Sequence, residues 1–464
     1  MKKSVTVAII LTATILPSRS KDFSGAGFLR DSLPETWEIN QEYFQTTPTE
    51  DSWWKLFNDT TLTGLIRLSV DNNYNVLAAQ RRIEAAAQMS RATKGGYYPQ
   101  LSADAGWSKQ RMAGAASGHG VGSTDESYFS LGLTMNWEID VFGRINAQLK
   151  SDKANYEASV AEYDATQVSL ISNLAKAYFQ LRLAQEQLEI AERNTANNEE
   201  LLHLAQTRYD VGLNPLVDVV QAEIAVLQTK ATIPGIKADI TTYLNEIALL
   251  AGVYPGKLQY LLETKALPDA PMPGVSDSPQ ALLRRRPDIV EAEKELAMAA
   301  AKVGISKKDF LPTLSLSAGI GTEAHDLKDL FGRNSLYYSI MPTLSWTIFD
   351  GMTRNAQLAE AKFDFEAQID SYNQTVMTAV EEVNNAMVSW QAISEEIVFD
   401  MQLLNKSKKD LELNVDRYKQ GLNDFNDVAT AITNVLTYEN TVAQAKASQL
   451  AACVTLYTAL GGGF

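Results

Sequence analysis

The chain has 464 residues, 45% hydrophobic and 21% charged, with 14 Pro and 26 Gly, a composition that excludes a disordered or collagen-like polypeptide. Its 41 Lys and Arg stand against 56 Asp and Glu, a net charge of −15, and no basic block offers a footprint for DNA or RNA. The one cysteine, Cys453, lies in an apolar stretch, which rules out a disulfide or a Cys-based metal cluster within one chain and predicts a small buried hydrophobe.

The N-terminus carries Lys2 and Lys3, an uncharged apolar run from Val5 to Leu16, and then Pro17-Ser18-Arg19-Ser20. This pattern reads as a secretory signal peptide over residues 1–20, because about twelve apolar residues are too few to cross a bilayer as a helix. Its removal takes the net charge from −15 to −18. No later stretch offers 18 uncharged apolar residues, so a membrane-spanning mature chain must span with strands.

Residues 21–60 form an N-terminal segment, after which an Ala-, Arg- and Glu-rich helix is expected from Thr63 to Thr93. Pro99 ends it, since proline cannot continue helical hydrogen bonding. From there Leu101, Ala103, Ala105 and Trp107 alternate with polar residues, a strand over about 99–109. A second strand, about 127–142, sets Phe129, Leu131, Leu133, Met135, Trp137, Ile139 and Val141 on one face and Ser130, Gly132, Thr134, Asn136, Glu138 and Asp140 on the other. One apolar wall and one wet wall, longer than the nine to eleven residues a tilted membrane strand needs, point to a transmembrane β-barrel. Tyr128, Trp137, Phe142, Tyr338 and Trp346 are the expected membrane-interface aromatics.

A proline-free helical stretch follows from about Arg144 to Asp210, with Val168, Ile171, Leu174, Ala175, Tyr178 and Leu181 on an apolar stripe. At 1.5 Å per residue it is a rod of roughly 100 Å. Gly212 in Arg208-Tyr209-Asp210-Val211-Gly212-Leu213-Asn214-Pro215 stops it, and a second helix returns to Leu250, completing a hairpin over about 144–250. Pro234-Gly235 predicts a kink or break in the returning helix.

The chain then repeats itself. A shift of 209 pairs Trp137 with Trp346, Asn146-Ala147-Gln148-Leu149 with Asn355-Ala356-Gln357-Leu358, Arg208-Tyr209 with Arg417-Tyr418, Gly212-Leu213-Asn214 with Gly421-Leu422-Asn423, and Gly252 with Gly461. A slightly different shift pairs Pro99 with Pro312 and Ala105-Gly106 with Ala318-Gly319. The organisation is therefore a first unit at 61–252, a linker at 253–277 and a second unit at 278–464, whose strands fall at about 312–322 and 336–349 and whose helical hairpin spans about 354–460. Such a duplication is far longer than a solenoid repeat.

Four strands cannot close a membrane barrel, because open edges in lipid leave backbone groups unsatisfied. Two chains would give eight strands with a filled interior, and three would give twelve with a lumen.

Taken together, Trp137-Glu138-Ile139-Asp140-Val141-Phe142-Gly143-Arg144, Arg285-Arg286-Pro287-Asp288-Ile289 with Glu291 and Glu293, Trp346-Thr347-Ile348-Phe349-Asp350-Gly351, and the two Arg-Tyr-x-x-Gly turns make the mature chain resemble the TolC-like outer-membrane factor family, in the OprM/NodT branch that serves resistance-nodulation-division (RND) efflux pumps. The resemblance implies a mostly α protein that forms a homotrimer. Its 12-stranded β-barrel sits in outer-membrane lipid, and an α-helical barrel crosses the periplasm, girdled by segments near residues 53–60 and 253–280. It implies a passive conduit for drugs or other toxic small molecules, fed by an inner-membrane RND-type pump through a periplasmic membrane fusion (adaptor) protein. The adaptor would meet Val211, Gly212, Leu213, Gln420, Gly421 and Leu422. Where the family closes its tip with a leucine and an aspartate, this chain has Asn426 and Thr430, and Asp218, Asp424 and Asp427 are the candidates for an acidic gate. Many members of this branch keep a lipid-anchored cysteine after the signal run, and none stands there in this chain, so no lipid anchor is expected.

No catalytic, cofactor or metal site is expected. His119 and His325 fall in loops joining strand pairs, and neither they nor His203 sit in metal-ligand spacing. Gly118-His119-Gly120-Val121-Gly122 lacks the Lys-Ser/Thr of a phosphate loop, Ser117 lacks the strand-turn-helix context of a nucleophile elbow, and Glu381-Glu382 lies on a long helix as solvated or lumen-facing carboxylates. Two other readings stay open: an outlet for type I protein secretion on the same fold, and a soluble periplasmic coiled-coil scaffold.

Overall fold

The computed structural model describes residues 33, 36–37, 43–45, 52–112, 124–275 and 278–462; the signal segment, Ser117 and His119 lie outside them. The first half runs α1 (Thr60–Asn72), α2 (Tyr74–Gly95), β1 (Gln100–Met112), β2 (Thr124–Ile139), α3 (Arg144–Asp210) and α4 (Leu216–Leu250). The second runs α5 (Leu282–Arg285), α6 (Pro287–Lys308), β3 (Thr313–Ala324), β4 (Leu336–Ser345), α7 (Thr353–Lys419) and α8 (Phe425–Ala459). The duplicated hairpins match in length: α3 and α7 have 67 residues each, α4 and α8 have 35. No helix among the described residues is long and apolar enough to cross a membrane.

The ends of α3, α4, α7 and α8 all turn the chain with a glycine in the left-handed region, at Gly212, Gly252, Gly421 and Gly461. At the first, Gly212 N–H donates to Tyr209 O (2.8 Å) and Leu213 N–H to Arg208 O (2.8 Å), a Schellman motif that satisfies the last carbonyls of α3. Leu422 N–H to Arg417 O (2.9 Å) repeats it at the end of α7. Two of these glycines also permit close packing: a Cβ on Gly252 would stand 2.4 Å from Asn72 O, and one on Gly461 2.9 Å from Arg285 C.

The main core joins both halves. Leu174, Tyr178 and Phe179 of α3, Ile247 of α4, Val383 and Trp390 of α7, and Leu450, Cys453 and Tyr457 of α8 are buried in one cluster. Segments outside the hairpins wrap it. Trp53 stacks on Tyr457 at 5.8 Å and donates Nε1–H to Gly462 O (3.2 Å), while Gln45 bridges Pro273 and Val275 with two 2.9 Å backbone bonds.

Several elements differ from the expectations. The helix expected over Thr63–Thr93 is two helices, because Asn73 is extended and turns its side chain into the N-cap of α2, accepting from Asn75 N–H at 2.8 Å. Of the kink or break expected at Pro234-Gly235, a break is absent, because α4 runs through it as one helix. Pro234 is solvent-exposed, and Lys230–Glu199 (2.6 Å) and Lys237–Glu192 (3.7 Å) tie both flanks to α3. The strand expected to reach residue 349 ends at Ser345, which leaves Trp346 just beyond it. Likewise β2 ends at Ile139, and Phe142 sits in the following turn.

Candidate functional site

The four strands form one antiparallel sheet in the order β1-β2-β3-β4, so β2 and β3 join the two halves and β1 and β4 are free edges. Register decides what each face presents. Leu101 pairs with Met135, Ala103 with Leu133 and Trp107 with Phe129. Leu133 then pairs with Ile320 and Trp137 with Leu316, and beyond them Tyr338 with Ile320, Ile340 with Ala318 and Leu344 with Leu314. Directly paired residues share a face, so over this stretch the side is apolar across four strands, turning polar where Lys109 pairs with Ser127 and Arg111 with Asp125, and Leu101, Trp107, Tyr338, Ile340 and Leu344 on it are exposed. The other face carries the row Asp104-Gly132-Gly321-Tyr337, in which the Tyr337 hydroxyl lies over Gly132 and Gly321.

Tyr128 needs correction as a membrane-interface aromatic. It pairs with Ser108, one residue out of phase with Phe129, and therefore stands on the polar face. Trp137 and Trp346 are held alike: each donates its indole N–H to the carbonyl at the end of the preceding helical segment, Tyr97 O and Phe310 O, both at 3.0 Å. Tyr338 is exposed on the apolar face near the opposite end of β4.

At the far end of the rods the two hairpin turns pack on each other. Ala205, Val219, Ala222, Tyr418, Phe425, Val428 and Ile432 make a separate core there. Arg208 links the turns, donating to Asn214 Oδ1 (2.9 Å) and to Lys419 O (2.8 Å), with its guanidinium 5.2 Å from the Tyr418 ring. Tyr418 also contacts Asn214 and, at 3.4 Å, Asp218 Oδ2. Burial and the Asp218 charge push the Tyr418 hydroxyl up to about 12, and burial raises the Asp218 carboxyl above the ordinary aspartate value despite the Tyr418 hydrogen bond.

Asp218 therefore departs from the acidic gate expected of it. At 4% exposure it lies inside the tip, held there by Tyr418, 200 residues away in sequence. Asp424, Asn426, Asp427 and Thr430 are exposed on the first turns of α8, with Asp424 as N-cap accepting from Asp427 N–H at 3.4 Å. The turn residues Val211, Gly212, Gln420 and Gly421 are exposed, and Leu213 and Leu422 are 66% and 62% exposed. A Schellman turn ordinarily folds its hydrophobic C″ residue back onto the helix. Here both leucines point away.

Two polar nodes are not legible in the sequence. Glu439 of α8, buried, accepts from Arg193, Asn194 and Lys408, all at 3.0 Å, and so ties α3, α7 and α8 together. Arg286 pairs with Asp288 and Glu382 at 2.7 Å each and donates to Ala459 O at 3.0 Å, so Glu382 is not merely solvated. His325 binds Ser127 O at 2.7 Å, His203 is exposed on α3, and no group of three or more metal-binding side chains occurs among the described residues.

The chain is similar to proteins of one kind. A family model described as outer membrane efflux protein matches residues 65–253 and 278–462, the two halves of the duplication. The cation efflux system protein CusC of Escherichia coli is 28% identical over 415 residues, 89% of this chain and 88% of CusC. The toluene efflux pump outer membrane protein TtgC of Pseudomonas putida is 28% identical over 417 residues, 89% and 86% of the two chains. Among solved structures, the outer-membrane channel OprN superimposes with a TM-score of 0.85 at 32% identity, covering 93% of this chain and 97% of that one.

Proposed function

Because the chain belongs to the outer membrane efflux protein family and is an outer-membrane efflux channel, we propose that it works as a homotrimeric, non-catalytic conduit whose twelve strands close a barrel around a water-filled lumen. The observation that carries this reading is the pairing of two free sheet edges with a face that is apolar across all four strands. Exposed edges in lipid would leave a row of N–H and C=O groups without partners, whereas joining β4 of one copy to β1 of the next removes every edge.

The aromatics support the membrane position. From Tyr338 to Trp346, or from Phe129 to Trp137, is eight residues. That is roughly 26 Å along a strand, or about 20 Å once tilted by about 40°, close to the apolar band of such barrels. Trp137, Phe142 and Trp346 would mark the periplasmic interface and Trp107, Phe129 and Tyr338 the outer one. Below the barrel, Val217, Val220, Ile224 and Leu227 form an exposed apolar stripe on α4 at steps of three and four residues, and Met377, Val388, Phe399 and Leu413 form another on α7. Each stripe is what the neighbouring copy would cover.

Outer-membrane factors of tripartite efflux systems work with adaptors and inner-membrane pumps. In this chain the unfolded-back Leu213 and Leu422, with Val211, Gly212, Gln420 and Gly421, are the surface we assign to the periplasmic adaptor, and an RND-type pump supplies the energy. The exposed Asp424, Asn426, Asp427 and Thr430 would ring the tip, and acidic charge concentrated in the lumen would favour cationic over anionic solutes. The test is complementation. Deleting the gene in a strain without redundant exporters should sensitise cells to toxic compounds, and Leu213→Asp with Leu422→Asp should fail to rescue despite normal membrane insertion. Full rescue by that double variant would remove the tip assignment.

A further inference from the structure

A seam joins the two halves of the chain, and the outer margins of the same chain carry both sides of a second, unmade one. β2 runs into α3 and α6 runs into β3, so pairing β2 with β3 sets α3 beside α6. In the same way β4 runs into α7 and α2 runs into β1. The counterparts match without a gap. α3 and α7 have 67 residues each at the offset of 209, and α2 and α6 have 22 each, with Tyr74 standing where Pro287 stands.

Burial and charge mark the unmade side. α6 packs against both α3 and α7, whereas α2 packs on α3 and has no comparable second neighbour. Within the internal seam Val168 of α3 and Pro287 of α6 are buried beside a shared cavity of about 330 Å³. Their counterparts Met377 and Tyr74 are 58% and 77% exposed. Ala154, buried on α3, corresponds to Phe363, exposed on α7. Across the internal seam Lys294 meets Glu157 at 3.2 Å, and the corresponding positions hold Arg81 and Glu366, of the same signs and both exposed.

On the premise of the homotrimeric ring, we propose that the joint between copies repeats this internal seam. α7 of one copy receives α2 of the next as α3 receives α6, and β4 pairs with β1 of the next copy in the register of β2 with β3. The pair Met135–Ala318 then becomes Leu344 with Ala105 of the next copy, Leu133–Ile320 becomes Pro342 with Trp107, and Thr134–Gly319 becomes Thr343 with Gly106. This register passes a check: Leu344, Ala105, Pro342 and Trp107 all belong to the apolar face and Thr343 and Gly106 to the other, whereas a one-residue slip would set opposite faces together. Below the sheet, Arg81 of one copy meets Glu366 of its neighbour and Tyr74 packs on Met377. A head-to-tail joint of this kind closes into a ring, in which α3–α6 and α7–α2 seams alternate.

The test is disulfide formation in outer membranes under copper-phenanthroline oxidation, read on a non-reducing denaturing gel. Successive pairs in an antiparallel ladder alternate in Cα spacing, so two double variants cover both spacings: Ala105→Cys with Leu344→Cys, and Gly106→Cys with Thr343→Cys. At least one should yield linked species of two and three chains. Each single variant should stay a single chain, and Ala103→Cys with Leu344→Cys should link severalfold less. The native Cys453 is buried and takes no part. Independently, Arg81→Glu should lower the temperature at which the oligomer dissociates, and adding Glu366→Arg should restore it. If both double variants remain single chains while native mass spectrometry of the same preparations counts three copies, the seam is wrong although the ring stands, and the α2 and α7 faces are left to another protein such as the adaptor. A one-chain particle would remove ring and seam together. Charge reversal without recovery would remove the Arg81–Glu366 pair.

Discussion

Asn73 and Arg286 stand at equivalent places in the two halves of the chain and do the same work with different chemistry. Asn73 Nδ2–H donates to Leu250 O at 2.9 Å and Arg286 Nη1–H to Ala459 O at 3.0 Å, each satisfying a carbonyl at the end of its returning helix. Leu250 and Ala459 are themselves 209 residues apart, the repeat shift. Arg286 adds ion pairs to Asp288 and Glu382. The second half has thus turned a neutral helix stop into a charged junction of α6, α7 and α8.

Replacing Arg286 with Ala removes a buried cation from two carboxylates that stay behind. Both are part exposed, which limits the penalty to about 2–3 kcal/mol. Arg286→Asn, which copies Asn73, should recover part of that by restoring the carbonyl contact. Chemical unfolding of the detergent-solubilised protein measures both, and equal losses for the two variants would mean that the helix stop contributes nothing.

Glycines at helix ends should separate into two classes. Gly212 has φ +73° and nothing within 4 Å of an added Cβ, so Gly212→Ala costs only the left-handed backbone penalty, about 1 kcal/mol. Gly252 has φ +66° and Asn72 O at 2.4 Å from that Cβ, so Gly252→Ala must push α1 and α4 apart, at a cost of more than about 3 kcal/mol. The yield of folded protein should fall for the second variant alone.

Met352 occupies the left-handed region at φ +70°, where the first half has Gly143 at φ +73° in the position 209 residues earlier. Met352 is exposed, so its side chain contributes little packing. Met352→Gly should therefore stabilise the protein by up to about 1 kcal/mol, the relief of backbone strain exceeding the added entropy of the unfolded chain. A fall in unfolding temperature would show that the loop tolerates methionine without strain.

Burial first, and then the charges of Glu295, Glu162 and Asp288, raise the Glu291 carboxyl to about 6 from 4.5. A folded-state value above the unfolded one means the native chain holds its proton more tightly between pH 4.5 and 6. Its contribution to stability is therefore present below about 4.5 and lost as pH rises through 6. Glu291→Gln should stabilise the protein at pH 7–8 and have no effect near pH 4. A fully buried group would yield about 2 kcal/mol, but Glu291 is only part buried and solvent screening reduces this to about 1 kcal/mol. A benefit independent of pH would contradict the electrostatic origin.

Whatever is local or periodic can be read from the chain alone. The alternation through Phe129, Leu131, Leu133 and Met135 is a period of two that the sheet register extends across four strands. The glycine turns at Gly212 and Gly421 follow from backbone sterics that any sequence must obey. Long-range pairing is not readable in this way. Asp218 has the pattern of an exposed acid beside a helix start, and only Tyr418 and the tip core bury it. Arg286 meets Glu382 and Ala459 from nearly 100 and more than 170 residues away. For Tyr128 the signal is present in the sequence, since one step of parity from Phe129 assigns it to the polar face. The break at Asn73 is also detectable, because Asn is a strong N-cap residue inside an otherwise helical pattern.

The most direct test of the channel account is the mass of the detergent-solubilised particle by native mass spectrometry after the micelle is stripped in the gas phase. Three copies of the chain are expected, because only a closed ring pairs β1 and β4 and leaves a lumen. A single chain that stays folded and monodisperse in water without detergent would contradict it.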